Sequence, residues 1–263
     1  MINKNIKGIT LIEILIGVVI SSIMMGAMLT SYKVVNGSYR QIIDKASIGN
    51  SSRALSEMLL RDIRMGGYKH FDDPLITFSD NGRVDIPIEI NKSVNNECCD
   101  GITIIYGDFN GSLVGDARFI RYKVRYSSRA STTEEGVFQI LKTNQQWNNT
   151  AGEWEDNADN FETYTEEVVA DNVSDIEFIV KDRLGISIDP PPTWNNQNSN
   201  MLYSIYTVEI FLTFKSKNDF YKKDRERTVI SLFDTDRNQS NNDRFLRESL
   251  MFNGYTRNLE AYR

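Results

Sequence analysis

The feature that most constrains this chain is a long apolar run near its N-terminus. Residues 9–29 read ITLIEILIGVVISSIMMGAML and carry one charged side chain, Glu13. A helix rises 1.5 Å per residue, so about 20 residues cross the roughly 30 Å of a hydrocarbon core. We therefore predict that residues 9–29 form a transmembrane helix.

The segment before this run predicts its orientation. Residues 1–8, MINKNIKG, contain Lys4 and Lys7 and no acidic residue. Basic residues favour the cytoplasmic side, which places the rest of the chain beyond the membrane. The competing interpretation is a secretory signal, which has a shorter apolar core and a small-x-small cleavage site. Ala27-Met28-Leu29 matches such a site poorly, so we favour the spanning helix.

Glu13 is unusual because it is an acid within an apolar helix. A carboxylate in the bilayer interior costs roughly 3 kcal/mol on insertion scales, so such a residue usually has a partner. The alternative is that its early position in the run lets the side chain reach the membrane interface. Its position alone leaves both interpretations open.

The segment GITLIE, residues 8–13, resembles the class III leader of type IV pilins and type II secretion pseudopilins. In that family a prepilin peptidase cuts after the glycine and methylates the new N-terminal residue. The resemblance implies cleavage between Gly8 and Ile9, N-methylation of Ile9, and pairing of its α-amine with Glu13 between neighbouring subunits. Phenylalanine or methionine is commoner at the position of Ile9, and the apolar segment lacks the proline usual in major pilins. A minor pilin is therefore favoured.

The remaining sequence predicts an α+β fold of the type IV pilin-like kind. Apolar residues near three- and four-residue spacings continue the helix, and Gly66-Gly67 is a helix stop, so the helix is predicted over residues 9–66. Residues 67–263 alternate with period two and predict a periplasmic, antiparallel β-rich domain with one face on the helix. The clearest candidate strands cover residues 102–106, 120–126, 176–180 and 206–214, with others at 84–90, 137–141 and 227–233.

Two polar stretches, residues 143–167 and 189–200, are predicted to be long surface loops. The second contains three of the five prolines of the chain. All three tryptophans, Trp147, Trp154 and Trp194, lie in these stretches, and exposed tryptophan is a frequent contact residue. One interpretation is that these side chains contact a neighbouring pilin or an adhesin. The other is that they fold back over the domain, and the sequence favours neither.

Cys98 and Cys99 are adjacent in the sequence. Neighbouring Cα atoms across a trans peptide lie about 3.8 Å apart, closer than the roughly 4.4–6.8 Å of ordinary disulfides. A bridge between them would be strained, although the predicted export places both in an oxidising compartment. A bridge between the neighbours, two buried thiols and a bridge to another subunit are the alternatives. We favour the first, as a rigid turn before the strand at Ile102.

The sequence offers no recognisable catalytic or cofactor site. Two cysteines and a single histidine, His70, nearly exclude a common Cys/His zinc site. Neither a nucleophile elbow nor a glycine-rich phosphate-binding motif is present. The net charge of −6 argues against nucleic acid as a partner. We predict no enzyme activity, no catalytic residue, no metal and no cofactor.

Later blocks resemble PilW-type minor pilins. They are LRDIRMGGY at residues 60–68, CDGITIIY at 99–106, VSDIEF at 173–178 and TRNL at 256–259. The resemblance implies a minor pilin that primes assembly and caps the tip of a type IV pilus. Before assembly it would be anchored in the inner membrane, with its C-terminal domain in the periplasm.

The resemblance also implies partners: the prepilin peptidase, other minor pilins, the major pilin and a tip adhesin. Two alternatives stay open. One is a type II secretion pseudopilin at the tip of a pseudopilus. The other is a membrane-anchored periplasmic binding or enzymatic domain with an uncleaved helix.

Overall fold

The computed structural model describes residues 9–68, 86–93, 98–109, 119–132, 136–148, 151–156, 163–193, 198, 201, 204–231 and 237–259. The residues Gly8, His70 and Trp194, considered above, lie outside this set. The chain divides into two compact units, Met1–Ala46 and Ser47–Arg263.

One helix and ten strands form the described part of the chain. The helix, α1, is Leu11–Met65. The strands are β1 Ile88–Asn91, β2 Gly101–Phe109, β3 Phe119–Ala130, β4 Phe138–Asn148, β5 Glu153–Glu155, β6 Tyr164–Lys181, β7 Thr207–Lys215, β8 Arg225–Val229, β9 Gln239–Asp243 and β10 Arg247–Tyr255.

The strands form one large antiparallel sheet and a separate hairpin. The sheet has the order β1-β2-β3-β4-β6-β7-β10, with β5 paired to the end of β4. Strands β8 and β9 pair with each other. The predicted α+β class, with a helix packed on an antiparallel sheet, is confirmed.

The core lies between the sheet and the part of α1 in the second unit. Leu55, Leu59 and Ile63 recur every four residues, which places them on one face of the helix, and all three are fully buried. They join the alternate, inward-facing residues of the central strands, among them Ile102, Ile104, Val124, Ile176, Phe178, Ile210 and Leu212.

The helix ends where the chain must turn sharply against the sheet. Gly67 has a φ of 76°, and its N–H donates to the carbonyl of Ile105 at 2.9 Å. A Cβ atom on Gly67 would lie 2.5 Å from Cδ2 of Leu259. Glycine is therefore required at this position by both backbone conformation and space.

The prediction of a loop over residues 143–167 is wrong at both ends, where the structure has strands. Its first residues complete β4, its last residues begin β6, and a short strand, β5, lies between them. Trp147 and Trp154 face each other across the β4–β5 pair, so an aromatic cross-strand contact stabilises this polar hairpin. The predicted strand over residues 227–233 stops at Val229, because Ser231 turns inward to bond with Asn238.

Candidate functional site

The first candidate site is the apolar surface of α1 in the first unit. From Ile9 to Ile43 the large apolar side chains are between 47% and 81% exposed. Helix α1 is long and apolar enough to cross a membrane, and no residue of its most apolar 18-residue stretch is buried. A helix that is apolar on all sides is stable in lipid or against other helices, so this surface is suited to both environments.

Glu13 lies in the first turn of α1 and closes a capping box. The N–H and the hydroxyl of Thr10 both donate to Oε2 of Glu13 at 2.8 Å, and the N–H of Glu13 donates to Oγ1 of Thr10 at 3.4 Å. This exchange satisfies backbone donors that a helix start leaves free. The pairing of Glu13 with the α-amine of Ile9 requires cleavage before Ile9 and stays a prediction.

The structure decides between the two interpretations for Trp147. Trp147 lies in β4 with 8% of its surface exposed, and Trp154 lies half-buried in β5. Their rings meet edge to face at 5.2 Å, and Nζ of Lys123 lies 5.2 Å from the centre of the Trp154 ring. Trp147 therefore folds back over the domain. Partner contacts through Trp154 and Trp194 stay predictions.

The second candidate site is a buried charge cluster formed by Asp100, Asp175, Glu177 and Arg237. Asp100 directly precedes β2 and is fully buried. Its carboxylate accepts hydrogen bonds from Lys92 Nζ at 2.8 Å, from Arg237 Nη1 at 2.8 Å, and from the N–H groups of Ser93 and Phe178. These four donors satisfy the carboxylate oxygens of Asp100 and fix the start of β2 against β6.

Arg237 is the centre of this cluster. It is 6% exposed and, besides Asp100, donates to the carboxylate of Asp175 at 2.5 Å and to the carbonyl of Ile176 at 3.4 Å. Its buried Nε has no hydrogen-bond partner among the described residues. Burial raises the pKa of Asp175, and the guanidinium of Arg237 opposes that rise. A buried ion pair of this kind positions segments more than it stabilises them.

Cys98 and Cys99 lie directly before Asp100. The structure joins their sulfur atoms as a disulfide, and Cys99 is buried. The redox state of the pair in the exported protein stays a prediction.

Beside the charge cluster is a cavity of about 460 Å³, lined among others by Lys92, Asp100 and Arg237.

Glu177 is the second buried acid that β6 contributes to the cluster. It is fully buried; its Oε2 accepts from the hydroxyl of Ser231 at 2.7 Å, whereas Oε1 has no partner among the described residues. Burial raises the pKa of Glu177 from 4.5 to about 7. The carboxyl group is therefore near its titration midpoint at neutral pH.

This pKa predicts a specific pH dependence of stability. The folded protein binds the proton of Glu177 more tightly than the unfolded chain does. Protonation of Glu177 therefore stabilises the fold fully below pH 4.5, and this contribution to the free energy of unfolding is lost as the pH rises through 7. Glu177→Gln keeps the group neutral and should raise the free energy of unfolding at pH 8 by about 1–3 kcal/mol, with little effect at pH 4.5. Urea denaturation in mild detergent at both pH values measures this. Glu167→Gln, an exposed acid on the same strand, is the control, and equal effects of both changes would contradict the prediction.

Comparisons with known proteins agree with the N-terminal helix and the fold. Residues 3–29 match the model of the prokaryotic N-terminal methylation motif. No curated protein sequence matches the chain significantly. Among solved structures, the chain is similar to the type IV-like pilin TTHA1219 from Thermus thermophilus, with a TM-score of 0.50 and 11% identity. The match covers 81% of this chain and 98% of that one, and at this identity it shows the fold alone.

The methylation motif and the fold together define the class. The chain is a type IV pilin-like protein with a prepilin N-methylation motif. The narrower PilW-type assignment stays a prediction.

Proposed function

We propose that the chain is a minor pilin that takes part in priming and tip assembly of a type IV pilus. The observation that carries the proposal is the exposed apolar helix with Glu13 in its first turn, together with the methylation motif that matches residues 3–29. A prepilin peptidase removes residues 1–8 and methylates Ile9. The chain has no catalytic chemistry of its own in this account.

The leader explains how Glu13 is tolerated in the apolar helix. Cleavage gives Ile9 a positive α-amine four residues from a negative carboxylate. Burying either charge alone in lipid or in a filament core is costly, and pairing them between neighbouring subunits offsets that cost. The capping box holds the carboxylate of Glu13 at the start of the helix, where such an amine approaches.

The proposal also assigns location and partners. Before assembly the helix anchors the chain in the inner membrane, with the β domain in the periplasm. In the pilus the same helix surface packs against other minor pilins and the major pilin, with a tip adhesin as a further partner. The lack of proline in residues 9–29 favours a minor role over the bulk subunit.

Glu13→Gln should remove the negative partner of the α-amine and reduce the number of pili. Leaving a buried charge unpaired costs about 3–5 kcal/mol, so we expect a reduction of about 100-fold or more. Electron microscopy of cells whose own copy carries the change measures this, with immunoblots to show equal membrane levels.

Glu57→Gln is the matched control, since Glu57 is an exposed acid on the same helix. Normal piliation with Glu13→Gln contradicts the proposal. Immunogold labelling tests the tip role separately: label at one filament end supports it, and label along the shaft contradicts it.

A further inference from the structure

We propose that Cys98 and Cys99, once reduced, bind one thiophilic divalent cation such as Zn²⁺ or Cd²⁺ together with Asp175. The two sulfur atoms and a carboxylate oxygen of Asp175 lie within 4.8 Å of one another. Cys99 and Asp175 are buried and Cys98 is half-buried, so the three donors form an enclosed group. Two thiolates and one carboxylate suit a borderline-soft cation with a water as the fourth ligand.

The fold holds the three donors together although they are distant in sequence. The N–H of Asp100 donates to the carbonyl of Ile176 at 2.9 Å, and the N–H of Phe178 donates to the carboxylate of Asp100 at 3.1 Å. These bonds align the segment before β2 with the middle of β6 and bring the cysteine pair beside Asp175. Zinc–sulfur bonds are about 2.3 Å long, so tetrahedral donors lie roughly 3.5–4 Å apart. Disulfide sulfur atoms lie about 2 Å apart, so after reduction the two sulfur atoms must separate by about 1.5–2 Å. The carboxylate of Asp175 is already within 4.8 Å of both.

The charges of the surrounding cluster favour a metal over free thiolates. Asp100, Asp175 and Glu177 already place three carboxyl groups near one another, with Arg237 and Lys92 as the cations. Two bare thiolates would add two negative charges to this buried group. A divalent cation with two thiolates adds no net charge.

The cation can bind only after a two-electron reduction of the disulfide, because the structure joins the two sulfur atoms. A phosphine reductant supplies the electron pair. The S–S bond breaks, both sulfurs become thiols with hydrogens from one water molecule, and the phosphine keeps the oxygen of that water as its oxide. When the cation binds, each thiol releases its proton to solvent and forms one metal–sulfur bond.

Cadmium titration of the full chain in detergent tests the site. The protein is reduced with a phosphine without air, freed of reductant, and titrated with Cd²⁺ while the ultraviolet thiolate-to-cadmium band is recorded. We expect one Cd²⁺ per reduced chain and none for the oxidised chain. Cys98→Ser and Cys99→Ser should each abolish the band. Uptake without any reductant would support the metal site and contradict the disulfide.

Asp175→Asn should weaken Cd²⁺ binding by about tenfold or more, and Asp171→Asn, an exposed acid on the same strand, should not. Phenylarsine oxide needs only two thiols, so it should bind the Asp175→Asn chain and the wild type equally. Should Asp175→Asn fail to fold, Asp175→Glu keeps the charge beside Arg237 and should still weaken Cd²⁺ binding by displacing the ligand atom. The proposal is overturned if the reduced wild type binds no Cd²⁺. It is also overturned if a folded Asp175→Asn or Asp175→Glu chain binds Cd²⁺ with the affinity of the wild type.

Discussion

Replacing Asp62 by alanine is expected to lower the free energy of unfolding by about 3–5 kcal/mol. Asp62 lies near the end of α1 and is 2% exposed. Its Oδ2 accepts from the Tyr126 hydroxyl at 2.5 Å and pairs with Nζ of Lys142, which is also buried, at 2.7 Å. Alanine would leave an ammonium group and a hydroxyl buried without their partner. Because these bonds join the helix to β3 and β4, the loss should loosen the packing of α1 on the sheet.

Urea denaturation in mild detergent measures this effect. Glu57→Ala, which removes an exposed acid from the same helix, should change the free energy by no more than about 0.5 kcal/mol. Asp62→Leu combined with Lys142→Met should be less damaging than either change alone, since no buried charge is then unpaired. A loss below about 1 kcal/mol for Asp62→Ala would show that the ion pair does not hold the helix.

Arg237→Met should cause a loss of similar size, about 3–5 kcal/mol at pH 8. Methionine fills much of the arginine volume but leaves the carboxylates of Asp100 and Asp175 buried without their shared cation. Arg244→Met is the matched control. Arg244 is exposed and pairs with Asp219 and Asp224 at the surface, so its loss should cost less than about 1 kcal/mol.

The deficit of Arg237→Met should shrink in acid. The guanidinium of Arg237 lowers the pKa of Asp175, so without it the pKa of this buried carboxyl rises in the folded protein. A raised pKa in the folded state gives stability that returns as the pH falls. Denaturation at pH 5 should therefore show a smaller deficit than at pH 8. A deficit that is constant over this range would indicate a packing defect.

The elements with strong local patterns could be predicted from the sequence. The apolar run after the leader indicates one helix, and the alternation of Ile176, Phe178 and Val180 indicates β6. Strand β10 was missed because Gly254 interrupts its alternation. A Cβ atom there would lie 2.8 Å from Cγ2 of Ile63, so the glycine is explained by a helix almost 200 residues away in sequence.

The buried charge cluster could not be predicted for a similar reason. Asp175 and Glu177 alternate with apolar residues, a pattern typical of a half-exposed strand, yet both are buried. The partner of Asp175 is Arg237, which is 62 residues away in sequence, and the partner of Glu177 is Ser231, which is 54 residues away. Only the folded chain shows that these two residues lie against the polar side chains of β6.

The N-terminus of the protein recovered from membranes and from pili shows whether the leader is removed and Ile9 is methylated. Mass spectrometry of the N-terminal peptide should show a chain that begins with N-methylated Ile9, the residue that supplies the amine for Glu13. A chain that begins at Met1 in both fractions would contradict leader cleavage and charge pairing, and would leave a membrane-tethered β domain in place of a pilus subunit.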